Sequence, residues 1–371
     1  MIRRVAVERV APRADDIDRT AEYPQDMFDL MRELGLFKLP LPQEYGGLGS
    51  VVASCIALEE LGRVCYNTAY LLLVQWGPVN AILHGGSAEQ KARFLPGLAD
   101  GQLRAGFSLT ESQSGSDLSG IRTHARPHKD GYLINGAKIW STNTAVSDFV
   151  LVAARTGDQE RGAINFFIVE RDTPGFTIGK SEKKMGARGV PSSSLFFDDA
   201  YIPANNILGE EGNGFKLVAE ALNASRPLIA ARAVGLAQGA LDHAVQFIKS
   251  RHAFGQNVSD FQGIRWMIAD MEIAVEASRQ LTYKAARTAD AGITGPKMAR
   301  AAAIAKTFAT DAAMKVATDA MQLFGAASIS DDFPINRYFR DAKVLQIVEG
   351  TNQIQRNIIA RTLLGKAGAP T

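Results

Sequence analysis

The chain has 371 residues, of which 46% are apolar and 22% charged, and its formal net charge is +2. That composition is ordinary for a globular protein of two or three domains; it argues against disorder and gives no global attraction for nucleic acid, since basic residues are scattered among acidic ones. No apolar run approaches the ~18 residues of a transmembrane helix.

The first zone, 1–103, has a helical texture. Met1-Ile-Arg-Arg is followed by Glu8, Asp15 and Asp16 without an apolar stretch, which is not a signal-peptide pattern, and a cytoplasmic protein is expected. Tyr23-Pro24 opens a segment with Met27, Leu30, Met31 and Leu34 at i, i+3, i+4 and i+7, and Gly35 stands where a C-cap belongs. Glycines 46, 47 and 49 interrupt the chain before a second helix carrying Ile56, Leu58 and Leu61. Cys55 and Cys65 lie in helical surroundings without CxxC spacing, so a disulfide framework or zinc site is not expected. Tyr70–Val74 reads as a buried helical segment.

Between 104 and 212 the pattern becomes strand-like. Tyr132–Trp140 has Asn135-Gly136 between short apolar arms, a hairpin signal. Phe149–Ala154 and Ile164–Val169 are strand-like runs separated by a polar, glycine-containing turn, and Ser194–Phe197 is another. Without intervening helices, these strands predict a small antiparallel barrel or sandwich. From 213 to 371 the helical period returns, with a stripe at Ile264, Met267, Ile268, Met271 and Val275 and alanine-rich stretches around 298–320. Gly292–Pro296 and Gly325–Ser328 read as turns between helices of a bundle.

Several chemical signatures are absent: no GxGxxG follows a strand, and there is neither a GxxxxGK[ST] loop nor a GxSxG elbow. Ser181-Glu-Lys-Lys184 matches SxxK only, without its partner motifs. His124 and His128 are close, but Pro127 between them opposes one helical face, and exposed loop histidines are expected in place of a metal site.

Four separated segments carry chemistry together. Leu109-Thr-Glu-Ser-Gln-Ser-Gly-Ser-Asp117 offers small residues and N–H donors for close ligand approach. Lys138-Ile-Trp-Ser-Thr142 places an aromatic beside hydroxyls. Ser250-Arg-His-Ala-Phe-Gly255, with Gln262 beyond it, pairs an arginine suited to phosphate with a flat ring. Arg340–Arg356 contains Glu349 between Val348 and Gly350, where the helical pattern pauses; on local grounds this is an ordinary solvated glutamate near a helix end.

Taken together, these segments resemble the acyl-CoA dehydrogenase family along nearly the whole chain. The resemblance implies a mainly α fold with an N-terminal helical domain, a middle antiparallel β-barrel and a C-terminal four-helix bundle, with FAD and an acyl-CoA thioester between the last two. It implies that Phe107, Leu109 and Thr110 contact the isoalloxazine, with Gly115 and Ser116 near the pyrophosphate and the CoA arm; Ser112 stands where the family usually has proline. Trp140 would cover the flavin, and Ser141 and Thr142 would bond its edge. Arg251, Phe254 and Gln262 would reach the FAD of a neighbouring subunit, implying a homo-oligomer, most often a tetramer. Gln322 is carried over as a further FAD contact, close to Gly325-Ala326, where many members have Gly-Gly. Thr351 and Gln353 would touch FAD, and Gly350 the substrate.

The family's catalytic base corresponds to Glu349. An alternative base used by some members, beside the arginine of the bundle's first helix, is Ser225 here, preceding Arg226. Arg226 is read as a substrate contact or a structural salt bridge, and Trp76 as either the end of the acyl pocket or core. The implied reaction is α,β-dehydrogenation of an acyl-CoA to the trans-2-enoyl-CoA. Glu349 would take the α proton, the β hydride would pass to flavin N5, and an electron-transfer flavoprotein would serve as acceptor in fatty-acid or amino-acid catabolism. A carrier-protein thioester, or desulfinase or oxidase chemistry, is the alternative on the same fold.

Overall fold

The computed structural model describes residues 1–157 and 164–365, and the turn expected between the two strand-like runs falls on 158–163, outside them. The N-terminal part is helical: α1 (Ile2–Val5), α2 (Ala14–Thr20), α3 (Gln25–Glu33), α4 (Val51–Val64), α5 (Tyr66–Gly85) and α6 (Ala88–Ala99). The stripe on α3 buries Met27, Leu30 and Met31, and Gly35 takes the left-handed conformation (φ 67°) that ends the segment. On α4, Leu58 and Leu61 are buried while Ile56 faces outward.

The strands are β1 (Ala105–Ser108), β2 (His124–His128), β3 (Gly131–Thr142), β4 (Phe149–Arg155), β5 (Ile164–Glu170), β6 (Phe176–Ser181), β7 (Ser192–Pro203) and β8 (Ile207–Leu208). They form one sheet in the order β6-β7-β3-β1-β4-β5-β8, with β2 pairing both β3 and β4. The sheet is mixed, which corrects the expectation of a purely antiparallel one: β1 runs parallel to β4, and β2 meets β4 in parallel. A second correction concerns Asn135-Gly136, which lies inside β3. The hairpin turn is at Lys129-Asp130, between His128 and its partner Gly131. Gly136 (φ 139°) instead marks a register shift against β7, where a Cβ would come within 2.7 Å of Thr123 Cα, and Asn135 spends its amide on Asp199. His124 and His128 are exposed on strand β2 rather than in a loop.

The C-terminal helices are α7 (Gly214–Ser250), α8 (Gln262–Asp290), α9 (Gly295–Phe324), α10 (Ile335–Ile347) and α11 (Asn352–Leu364), with a small hairpin of β9 (His252–Ala253) and β10 (Gln256–Asn257) between α7 and α8. Small residues let α7 cross α4 closely: a Cβ at Gly235 would meet the Glu59 carbonyl oxygen at 2.1 Å, and one at Gly239 the Arg63 carbonyl oxygen at 2.0 Å. On α9 the alanine stripe Ala302, Ala305, Ala309, Ala313, Ala317 and Ala320 is buried. The sheet is docked on both helical parts, because Gly189 N–H donates to Asn67 on α5 (3.0 Å) and Ala187 N–H to Asp341 on α10 (2.6 Å). Burial pushes the Asp341 carboxyl up to about 6. These links fix the connection between β6 and β7 against α5 and α10.

Candidate active site

Helix α10 stops at Ile347, and the chain turns through Val348, Glu349 and Gly350 before Thr351 caps α11 by accepting from Ile354 N–H (3.3 Å). Glu349 is left-handed (φ 53°) and Gly350 more so (φ 90°). A positive φ on glutamate is costly and persists only where surroundings enforce it. The enforcement comes from behind. Lys306 on α9, fully buried, donates to the Gly350 carbonyl (3.0 Å) and to Asn352 Oδ1 (2.8 Å). Gln355 donates to the same Gly350 carbonyl (3.0 Å). A Cβ at residue 350 would lie 2.8 Å from Gln355 Nε2 and would sit on a backbone at φ 90°, so a larger residue is strained there.

In front, the Ser225 hydroxyl on α7 donates a hydrogen bond to Glu349 Oε2. Burial pushes the Glu349 carboxyl above its ordinary range, opposed by that bond and by the charges of Arg232, Arg226 and Lys306. Arg226 is buried, donates to Asn223 Oδ1 (2.6 Å) and leaves Nε without an acceptor among the described residues. Burial brings its guanidinium down to about 10, with Glu349 acting against the shift. Burial likewise lowers Lys306 to about 8. The solvated glutamate of the local sequence reading is therefore a half-buried carboxylate with three cations around it.

The second half of the site is the segment 109–117 and the end of β3. Glu111, nearly fully buried, accepts from Lys138 Nζ (2.7 Å), Arg122 N–H (2.6 Å), Thr123 N–H (3.0 Å) and Gln113 Nε2 (2.6 Å). Lys138 also donates to the Leu109 carbonyl (3.1 Å), and Ile139 N–H to the Thr110 carbonyl (2.9 Å), so the segment is tied to β3 at both residues. Burial opposes ionisation of Glu111, but the Lys138 charge and the hydrogen bonds outweigh it and bring the carboxyl down to about 2. Gly115 and Ser116 are exposed beyond this clamp. Phe107 is half-buried and stacks on Phe166, with ring centroids 5.2 Å apart.

Between Lys138 and Ser141 the β3–β7 register shifts, and Trp140 takes a left-handed backbone (φ 59°) that leaves its ring 54% exposed. The Ser141 hydroxyl is turned inward to Ser108 and its carbonyl accepts from the Thr144 hydroxyl (2.9 Å), whereas Thr142 is half-buried beside Ser192 (3.3 Å). Tyr70 on α5 stands beside Arg232, whose Cζ lies 4.1 Å from its ring centroid, and burial pushes its hydroxyl up, with the Arg232 charge acting against the shift.

Other expected residues are dispersed. Arg251, Phe254 and Gln262 are exposed at the junction of α7 and α8, with Phe254 left-handed (φ 52°) and 96% exposed. Gln322 is exposed near the end of α9, and Gln353 in the first turn of α11. Of the two readings of Trp76, its surroundings support the core. It has no exposed surface, and its indole N–H donates to the Phe37 carbonyl (3.0 Å), which makes it core and not pocket wall. Ser181 and Lys184 are spent on structure, the hydroxyl on Ser193 (3.1 Å) and the ammonium on the Val190 carbonyl. Sequence reasoning missed Lys138, Lys306 and Arg232. The available signal was a lone cation in an apolar stretch: Lys306 within the alanine stripe, and Arg232 as the one charged residue between Pro227 and Leu241.

A bound flavin fits these residues. Trp140 is a large aromatic held outward by an unfavourable backbone, an arrangement that a flat ring system resting on it explains. The donor set of small residues and hydroxyls at 109–117 suits a phosphate-bearing cofactor.

Comparison with known proteins agrees. Profiles of the acyl-CoA dehydrogenase N-terminal, middle and C-terminal domains match residues 1–102, 106–200 and 212–364. A probable acyl-CoA dehydrogenase of Mycobacterium leprae is 44% identical over 98% of this chain and 93% of its own length. Butyryl-CoA dehydrogenase from Megasphaera elsdenii superposes with a TM-score of 0.94 at 38% identity, covering 98% of this chain and 96% of that one. A chain from a structure of the electron transferring flavoprotein of Acidaminococcus fermentans gives 0.95 at 39% identity, covering 99% and 96%. The chain belongs to the acyl-CoA dehydrogenase family and is an FAD-dependent oxidoreductase.

Proposed function

We propose that this enzyme converts an acyl-CoA thioester to its trans-2-enoyl-CoA, with Glu349 removing the α proton. The observation that carries the proposal is the Glu349 carboxylate itself, fixed on a left-handed turn, bonded by Ser225 and raised above its ordinary pKa by burial. A base raised toward neutrality is better matched to a weak carbon acid than an ordinary glutamate. FAD, when bound, accepts the β hydrogen as hydride.

The α proton is acidic only if the developing enolate is stabilised. The backbone N–H of Glu349, lying outside both α10 and α11, is the chain's donor to the thioester carbonyl; such a donor is worth ~2.7–4 kcal/mol of barrier. Phe107, Leu109, Thr110, Trp140, Ser141, Thr142, Thr351 and Gln353 hold the flavin. Gly115, Ser116, Arg226 and Gly350 face the cofactor phosphates or the thioester.

The chain divides at 1–103, 104–212 and 213–371 into a helical domain, a β-barrel and a four-helix bundle. Arg251, Phe254, Gln262 and Gln322 meet the FAD of a second copy in a cytoplasmic homotetramer, and the electrons leave to an electron-transfer flavoprotein. Likeness to butyryl-CoA dehydrogenase supports the thioester, and likeness to the Acidaminococcus chain supports the acceptor.

Glu349→Gln tests the assignment. The variant should keep its FAD and lose roughly 10²–10⁴-fold in turnover. Near-normal bleaching of its flavin by an acyl-CoA that the parent oxidises would overturn it.

A further inference from the structure

Arg232 is the least satisfied charge in the described structure. It has no exposed surface, and none of its three guanidinium nitrogens has a hydrogen-bond acceptor among the described residues. Its faces are covered, because Cζ lies 4.3 Å from the Tyr66 ring centroid and 4.1 Å from that of Tyr70. Stacking answers the faces of a guanidinium but leaves its five in-plane N–H donors unanswered. Tyr66, whose hydroxyl is also buried without a partner, stands beside it. A buried charge with unmet donors is expensive and implies an acceptor that arrives later.

Position says what the acceptor belongs to. Ser225, which bonds Glu349, and Arg232 are seven residues apart on α7, hence on one face and separated by roughly 10 Å of rise. Side chains tilt toward a helix's N-terminus, so Arg232 leans back toward Ser225. Tyr66 and Tyr70, at i and i+4, present one face of α5 to the same space, with ring centroids 5.7 Å apart. A thioester with its α carbon at Glu349 would run its acyl tail along this face of α7.

We propose that the acyl group of the substrate carries an oxygen acceptor, a carboxylate foremost, a few carbons beyond the reacting pair, and that Arg232 binds it between Tyr66 and Tyr70. The inference rests on the dehydrogenation reading and names its substrate class. An apolar tail would leave the guanidinium buried and unanswered, whereas a carboxylate matches its fork with two charge-assisted hydrogen bonds.

The test compares two CoA thioesters of the same shape, that of pentanedioic acid and its apolar isostere 5-methylhexanoyl-CoA, by anaerobic bleaching of the holoenzyme flavin. Half-saturation at a concentration at least tenfold lower for the carboxylate is expected. Arg232→Met should reverse the order, and Arg232→Lys should restore part of the preference, with flavin absorbance reporting that both variants retain FAD. If the apolar thioester bleaches the parent equally well or better, the inference falls while dehydrogenation stands. Retention of the carboxylate preference by Arg232→Met also overturns it. If neither thioester bleaches the flavin, the inference falls, and a panel of unsubstituted acyl-CoAs of graded length then decides the dehydrogenation reading by itself. Should Arg232→Met lose its FAD, the parent comparison and Arg232→Lys still decide.

Discussion

Removing Glu111 is expected to be among the most damaging single changes that leave the Glu349 carboxylate untouched. Lys138 is fully buried, and its ammonium has two partners, Glu111 at 2.7 Å and the Leu109 carbonyl at 3.1 Å. Glu111→Ala strands that charge and frees the Arg122 and Thr123 N–H groups, so a loss of ~3–5 kcal/mol is expected, the range for breaking a buried ion pair. Lys138→Met is milder, ~1–3 kcal/mol, because Glu111 keeps Arg122, Thr123 and Gln113 as donors. Glu111→Ala with Lys138→Met should be less destabilised than the sum of the single variants, since no charge is left buried.

Denaturant unfolding of the four proteins measures this, with FAD retention as a second reading of the segment 109–117. The pH dependence has a fixed sign. The Glu111 carboxyl is depressed to about 2 from an ordinary 4.5, so its stabilisation is present above about 4.5 and disappears as the pH falls through 2. The gap between the parent and Glu111→Ala must therefore narrow in acid. A Glu111→Ala protein within 1 kcal/mol of the parent near pH 7, or a gap that widens in acid, would refute the reasoning.

Ser225→Ala removes the hydrogen bond that holds the Glu349 carboxyl down, so the acid limb of the rate profile should move to higher pH, with turnover recovering in alkali; an unmoved limb would show the bond to be incidental. Gly350→Ala sets a Cβ 2.8 Å from Gln355 Nε2 at a φ of 90°, and should cost about 1–3 kcal/mol in unfolding experiments. No loss there would mean that the turn can relax without harm.

The division into helical, strand and helical zones was legible because periodicity is a local signal. The stripes on α3 and α8 and the alanine face of α9 needed no tertiary information. Asn135-Gly136 misled because the same dipeptide serves a hairpin turn or a strand irregularity, and the choice depends on Thr123 and Asp199, distant in sequence. The parallel pairing of β1 with β4 has no local signature either. At the site, Glu349 and Trp140 were readable by resemblance, while Lys138, Lys306 and Arg232 were not. A buried lysine is defined by partners such as Glu111, 27 positions away, or Gly350, 44 away. Trp76 illustrates the converse, since bulk alone does not say whether an indole lines a cavity or fills it.

The Glu349 carboxylate is located by helices that do not contain it. Lys306 on α9 fixes the carbonyl behind the turn, Ser225 on α7 fixes the oxygen in front, and the segment 348–351 bridges the two anchors. The carboxylate is triangulated, as a survey point is fixed from two distant stations. Variation that spares Glu349 and Gly350 but alters α7 or α9 can thus displace it with no change in its own neighbourhood of sequence. A substitution map of this enzyme should accordingly show activity lost at 225 and 306 as sharply as at 350.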